Sequence, residues 1–211
     1  MVGLLIRGDN ALLDGCKALR YPDSMQVLNT DIPGVRIVDP GRHMDDRGWL
    51  SEVWSQQTLA DAGLDVTFTQ DNLTFSPMPG VVRALHYQIP PEVQGKLITC
   101  LTGAIYDVAL DIRVGSPTYG QHFALELRAD HPRQLWVPPG LAHGYCSIKP
   151  DSMVLYKLTA PYDTHGAFGV LWNDPALEID WPVSGDHAIV NGRDSAWPHL
   201  AELDSPFRWE E

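Results

Sequence analysis

The stretch Gly80–Gly103, GVVRALHYQIPPEVQGKLITCLTG, holds the clearest strand pattern in the chain and its densest group of chemically able side chains. Val82–Gln88 and Gly95–Thr102 are short runs rich in apolar, β-branched and aromatic residues, separated by a turn containing Pro-Pro and Gly. Arg83, His86, Gln88, Glu92 and Lys96 sit on this frame. An imidazole is the side chain suited to act as a base near neutral pH. An ammonium fixed in a dry site can stabilise developing negative charge. If His86 and Lys96 face one cavity from adjacent strands, the stretch is an active site; if they face solvent, it is a polar hairpin. In a regular pleat Ala84, His86 and Gln88 share one face and Arg83, Leu85 and Tyr87 the other. Arg83 then joins His86 only across a bulge or from the strand's end.

The pattern continues outward. Pro33–Pro40 reads as a short strand bounded by prolines, His43–Gly48 as a turn cluster, and Trp49–Trp54 as a second strand. Ser55 caps a short helix over Gln56–Ala62, with Gly63 as its stop. Val66–Gln70 alternates as a strand does. Further strands are expected at Ala104–Asp111, Gly120–Leu127, Arg133–Val137, Gly144–Ile148 and Met153–Leu158, with a short helix at Pro198–Leu203. These lengths and spacings point to an all-β sandwich or barrel, not βαβ units. Residues 25–211 read as one domain and residues 1–24 as an N-terminal extension of different character, with Met25 an alternative start.

The 211 residues are 44% hydrophobic, enough for one good core, and carry a formal charge of -12. Such acidity disfavours wrapping nucleic acid or docking on anionic lipid. Cys16, Cys100 and Cys146 lack paired or metal-like spacing, which suits a reducing compartment. No apolar run reaches membrane-spanning length, and the first residues lack the pattern of a signal peptide.

Two further segments carry chemistry. In Gln134–Tyr145, QLWVPPGLAHGY, a Pro-Pro-Gly turn precedes His143. Together with Gly80 and His86, it is similar to the paired motifs of the cupin jelly roll. Metal-binding cupins place a second histidine where this chain has Gln88. His86, Glu92 and His143 would make a two-histidine, one-carboxylate set, but Gln is a poor ligand and no metal is expected. In Tyr156–Tyr162, YKLTAPY, two tyrosines bracket a proline turn; a buried, oriented phenol can serve as a general acid.

The chain resembles the dTDP-4-dehydrorhamnose 3,5-epimerase family of deoxysugar-nucleotide epimerases. The likeness runs from about Met25 to about Leu203, through DDRGWLSE (Asp45–Glu52), FTQDNLTFS (Phe68–Ser76), VVRALHYQ (Val81–Gln88), QGKL (Gln94–Leu97), DVALDIRVGSPTYG (Asp107–Gly120), RQLWVPPGLAHGY (Arg133–Tyr145), YKLTAPY (Tyr156–Tyr162) and WNDPALEIDWP (Trp172–Pro182). It implies a cupin-type double-stranded β-helix with short peripheral helices. It also implies a homodimer, a cytoplasmic location, no cofactor, and a nucleoside-diphosphate sugar as substrate.

The reaction it implies inverts C3 and C5 of a 4-keto-6-deoxyhexose through an enolate. The resemblance makes His86 the base, Asp194 its acidic partner, Lys96 the stabiliser of the C4 oxygen, and Tyr156 the acid on the opposite face. Arg83 and His143 would line the sugar–diphosphate end. Tyr162 would contact the pocket or a phosphate, and Gln70 and Asn72 the sugar or nucleotide. Arg47 and Glu52 would be lent across the dimer to the nucleotide. Asp107 is a candidate buttress and Asp111 a structural residue.

Two positions depart from the family pattern: Leu73 stands where the family has His, and Ala84 where it has Gly. The first is expected to remove a polar contact and the second to narrow the pocket beside the base. Inversion of a single centre, a metal-dependent cupin enzyme, and a non-catalytic nucleotide-sugar binder are the alternatives.

Overall fold

The computed structural model describes Pro22 and residues 24–210. The expected extension at residues 1–24 therefore lies almost wholly outside the described residues. The strands are β1 (Gln26–Asn29), β2 (Arg36–Asp39), β3 (His43–Asp45), β4 (Gly48–Leu50), β5 (Gln70–Ser76), β6 (Val82–Gln88), β7 (Lys96–Thr102), β8 (Ala104–Asp111), β9 (His122–Arg128), β10 (Gln134–Val137), β11 (Leu141–Ser147), β12 (Ser152–Leu158) and β13 (Ala167–Gly169). One α-helix, α1 (Gln56–Asp61), and four single-turn 3-10 segments complete the described elements.

Two antiparallel sheets form. One has the order β1-β2-β10-β7-β12-β5 and the other β13-β6-β11-β8-β9, while β3 and β4 make a separate hairpin. From β5 to β8 successive strands fall in alternate sheets, and β9 to β13 resume the alternation. This winding of one chain through two facing sheets is the jelly roll.

Ile98, Leu135, Val137 and Val154 of the first sheet pack against Ile105, Ala109, Leu127, Leu141 and Tyr145 of the second. Both sheets are also covered on their outer faces. Trp54, Phe68 and Leu59 of α1 lie over Leu97 and Trp136. The chain beyond β13 lays Trp172, Leu177, Trp181 and Phe207 over Val82, Leu85, Val108 and Leu110. Double covering explains why β8 and β11 read as nearly continuous apolar runs, not alternating ones.

Edge strand β5 has the reverse polarity of an ordinary edge. Gln70, Asn72, Thr74 and Ser76 point inward, while Leu73 and Phe75 are exposed. Asp111 is structural: its buried carboxylate accepts from Arg113, Ser116 and Thr118 at 2.6–2.8 Å, tying the loop after β8.

Several local expectations are corrected. Val66–Thr69 is not a strand; Val66 and Phe68 lean onto the outer face of the first sheet, and pairing starts only at Gln70. His43–Gly48 holds a turn, but within a hairpin, and the strand expected over Trp49–Trp54 ends at Leu50. The helix at Ser55 is as expected: the Ser55 hydroxyl accepts from Thr58 N at 3.3 Å, and Gly63 follows at φ +93°. The expected C-terminal helix is a single 3-10 turn, Leu200–Glu202.

Candidate active site

His86 and His143 lie opposite one another on β6 and β11. Next to them the register slips, because Tyr145 pairs with Arg83, so Ala84 and Leu85 together face Gly144. This is a β-bulge, and it shifts the pleat by one residue. Arg83 and His86, three apart, consequently line the same cleft. Gly144 is required for this approach: a Cβ there would stand 2.2 Å from the Ala84 Cβ.

The Ala84 methyl thus faces Gly144 and is fully buried, so the expected narrowing of the pocket beside the base does not occur. Leu73, the other departure, is 58% exposed on the outward face of β5 and is not part of the cleft.

The cleft has a volume of about 370 Å³ and opens at the end of the sandwich between the sheets. From the second sheet it receives Arg83, His86, Gln88 and His143; from the first, Asn72, Lys96 and Tyr156. Asp194, Arg193 and Asn191 enter from the C-terminal segment, and Tyr162 from the loop after β12.

Asp194 is buried and holds His86 Nε2 at 2.8 Å through Oδ1. Its Oδ2 accepts from Ala84 N at 3.2 Å, and its own N–H donates to Asn191 Oδ1 at 2.8 Å. The carboxylate is fixed to the same strand as the imidazole it orients. A second pair lies deeper: His143 Nε2 and Asp107 Oδ1 are 2.8 Å apart, both buried. Burial pulls the His143 imidazole down and pushes the Asp107 carboxyl up, each opposed by its partner.

Lys96 is buried and donates to the His86 carbonyl at 3.0 Å. Desolvation lowers its ammonium to about 8, with the Asp107 charge holding it partly up. Tyr156 packs edge-on to His143, with ring centroids 5.8 Å apart. Burial, above all, pushes its phenol well above the ordinary value.

The remaining expected residues divide into two groups. Gln70 donates to Asn72 Oδ1 at 2.7 Å and accepts from Tyr162 N at 3.0 Å, bracing the cleft's rim without lining it. The Arg83 Nε is buried without a hydrogen-bond partner, a donor aimed at nothing the described residues supply. Arg47 and Glu52 are exposed and outside the cleft; Arg47 pairs with Asp45 at 2.6 Å.

Sequence reasoning missed Arg193. It lines the cleft, donates to Tyr162 Oη at 3.3 Å and lies over the Trp197 ring. A lone arginine in a turn carries no pattern that would single it out.

The histidines do not form a metal site with Glu92. Each imidazole is committed to a carboxylate, and the Gln88 amide bridges Pro161 O at 2.9 Å, Asp163 N at 3.0 Å and the Glu92 carbonyl. Among the described residues no three His, Cys, Asp or Glu side chains gather to hold an ion.

Residues 29–202 match the sequence model of dTDP-4-dehydrorhamnose 3,5-epimerase. A curated protein of that name from Sinorhizobium fredii is 42% identical over 191 residues, covering 89% of this chain and 95% of the relative. The crystal structure of dTDP-6-deoxy-D-glucose-3,5-epimerase from Legionella pneumophila, in complex with dTDP-4-keto-L-rhamnose, superimposes with a TM-score of 0.83. It is 35% identical and covers 89% of this chain and all of that one. A 3′-monoepimerase from Streptomyces bikiniensis in complex with dTDP-quinovose superimposes at 0.76, with 31% identity and coverage of 82% and 87%.

Jelly roll and cleft together define an isomerase, a carbohydrate epimerase. Within that class the chain belongs to the dTDP-4-dehydrorhamnose 3,5-epimerase family.

Proposed function

We propose that this chain inverts C3 and C5 of dTDP-4-dehydro-6-deoxyglucose to give dTDP-4-dehydrorhamnose. The observation that carries the reading is that His86 and Tyr156 enter one cleft from opposite sheets. Inversion at carbon needs a base on one face of the ring and an acid on the other, and a sugar between two sheets meets both.

The C4 ketone acidifies the neighbouring C–H bonds. His86 takes a proton on Nδ1 while Asp194 holds Nε2 and stabilises the imidazolium. The electron pair moves into the ring C=C bond, leaving an enolate at O4 that the Lys96 ammonium stabilises. Tyr156 delivers its proton to the carbon from the far side, and the ketone re-forms. Exchange with solvent resets both side chains. No cofactor is needed, because the substrate's own ketone supplies the acidity.

Arg83, with its unpartnered Nε, supports a role at the diphosphate, together with His143, Tyr162 and Arg193. Guanidinium groups can bind phosphate bidentately. Gln70 and Asn72 serve as polar contacts at the rim. Arg47 and Glu52 act on the nucleotide of a partner copy in a homodimer. Their distance from their own cleft supports this, as do exposed Trp49 and Leu50 beside them and exposed Leu73 and Phe75 on β5. Residues 25–211 would then act as one domain, with 1–24 an extension.

A cytoplasmic location fits the substrate class and the free, buried Cys100 and Cys146. Among the described residues no helix is long and apolar enough to cross a membrane.

The likeness to a 3′-monoepimerase keeps inversion of one centre as the second reading. Incubation of the substrate in deuterium oxide, followed by NMR, separates the two. Label at both C3 and C5, lost in His86→Ala, is expected; label at one carbon selects the mono-epimerase, and no label refutes both.

A further inference from the structure

The loop between β12 and β13 passes from the first sheet to the second at the mouth of the cleft, and it carries Tyr162. Its ends are tied to neighbouring strands: Thr159 N donates to the Gly95 carbonyl at 3.1 Å, and Ile89 N donates to the Gly166 carbonyl at 2.9 Å. Between these ties Pro161 and Tyr162 are exposed. Exposed connections are ordinarily the mobile part of a fold. Here side chains grip the backbone.

Gln88 makes the central grip, and it is only 3% exposed. Its Nε2 donates to Pro161 O at 2.9 Å and to Glu92 O, and its Oε1 accepts from Asp163 N at 3.0 Å. Pro161 and Asp163 stand on either side of Tyr162. From the other sheet, Gln70 Oε1 accepts from Tyr162 N itself at 3.0 Å. Three successive residues of the loop are therefore each held by a glutamine amide.

The partners of Gln88 dictate which way its amide points. Two carbonyls need donors and one N–H needs an acceptor; the reverse orientation would set oxygen against oxygen twice. Both amide hydrogens are used, so Gln88 has none to offer a substrate although it borders the cleft. Pro161 adds a fixed φ, and Arg193 donates to Tyr162 Oη at 3.3 Å. Tyr162 is held at backbone and tip before any ligand arrives, which lowers the ordering cost of binding.

We propose that Gln88 is a positioning residue that fixes Tyr162 for the nucleoside diphosphate. The position that carries a metal-ligating histidine in metal-binding cupins serves here as a backbone clamp. The inference rests on the proposed reading of the cleft, in which Tyr162 meets the diphosphate end of the substrate.

The test measures dTDP affinity by titration calorimetry, beside steady-state kinetics with dTDP-4-dehydro-6-deoxyglucose. Gln88→Met keeps the side-chain length and removes all three bonds. It is expected to weaken dTDP roughly 10-fold and to raise KM by a like factor, with kcat within about 3-fold. Tyr162→Ala should also weaken dTDP, and adding Gln88→Met to it should cost less than about 2-fold more. A folded Gln88→Met with wild-type dTDP affinity overturns the proposal. So does a loss that persists in full in the Tyr162→Ala background, since Gln88 would then act elsewhere. Should Gln88→Met not fold, Gln88→Glu, which keeps the acceptor for Asp163 N, takes its place in the same cycle. Wild-type protein that does not bind dTDP removes the reading of the cleft and this inference with it. Wild-type protein that binds dTDP, beside a Tyr162→Ala that binds it equally, removes only the inference.

Discussion

Asp194 binds twice into the strand that carries His86, once to the imidazole at 2.8 Å and once to the Ala84 N–H at 3.2 Å. The second bond ties the carboxylate to the backbone of the bulge, so His86 and Asp194 are anchored to one strand. Asp194→Asn retains the shape and a carbonyl acceptor for Ala84 but removes the charge that, in the proposed reaction, stabilises the imidazolium. Turnover is expected to fall by roughly 10²-fold or more, with a small change in melting temperature. Steady-state kinetics beside thermal unfolding checks both.

Lys96 must be an ammonium to stabilise an enolate, and burial has brought it to about 8. In the proposed reaction the activity it supports is therefore present below that pH and lost as pH rises through it. A kcat/KM profile should show an alkaline limb near pH 8, not above 10. Asp107 holds the ammonium up, so Asp107→Asn should move that limb to lower pH. The same depression acts on stability with its own sign. The unfolded lysine binds its proton up to about 10.5, so Lys96 makes stability rise with pH between about 8 and 10.5. Lys96→Met should abolish most activity, on the order of 10²-fold, and leave stability near neutral pH unchanged or raised.

Gly144→Ala places a methyl where Ala84 already stands, 2.2 Å away. The bulge must open, at a cost of roughly 1–3 kcal/mol. His86 would move with it, so a lower unfolding midpoint should be accompanied by a fall in turnover out of proportion to the folded fraction.

Phe75→Asp sets a charge on the exposed apolar face of β5 without touching the cleft, since Phe75 points away from it. Light scattering should show a dimer for the natural chain and a monomer for the variant. Nucleotide affinity should fall with dissociation, because Arg47 would then be absent from its partner's site.

Much of the fold was legible because buried strands announce themselves. Val82–Gln88 and Ala104–Asp111 read as strands and are strands, and Ser55 with Gly63 bounded the helix between them. Val66–Thr69 misled because an irregular segment pressing Val66 and Phe68 onto a sheet's outer face alternates just as a strand does. The pairing of His86 with Asp194 spans 108 residues, and no local pattern could have joined them; only resemblance to a family pointed to Asp194. The bulge was legible only as a condition, that Arg83 could share the cleft if the pleat slipped. No strand is legible over residues 70–76, where polar Asn72, Thr74 and Ser76 face inward: the first two line the cleft, and Ser76 is buried against Tyr145.

Ile98, Leu135, Ile105 and Leu141 hold the two sheets apart. In the proposed reaction the gap they set is also the gap a sugar ring bridges between imidazole and phenol. The thickness of the sandwich thereby becomes a stereochemical quantity. A methylene removed from this packing, distant from every reacting atom, would show itself as leakage in the handedness of the product: protons returned to the face they left.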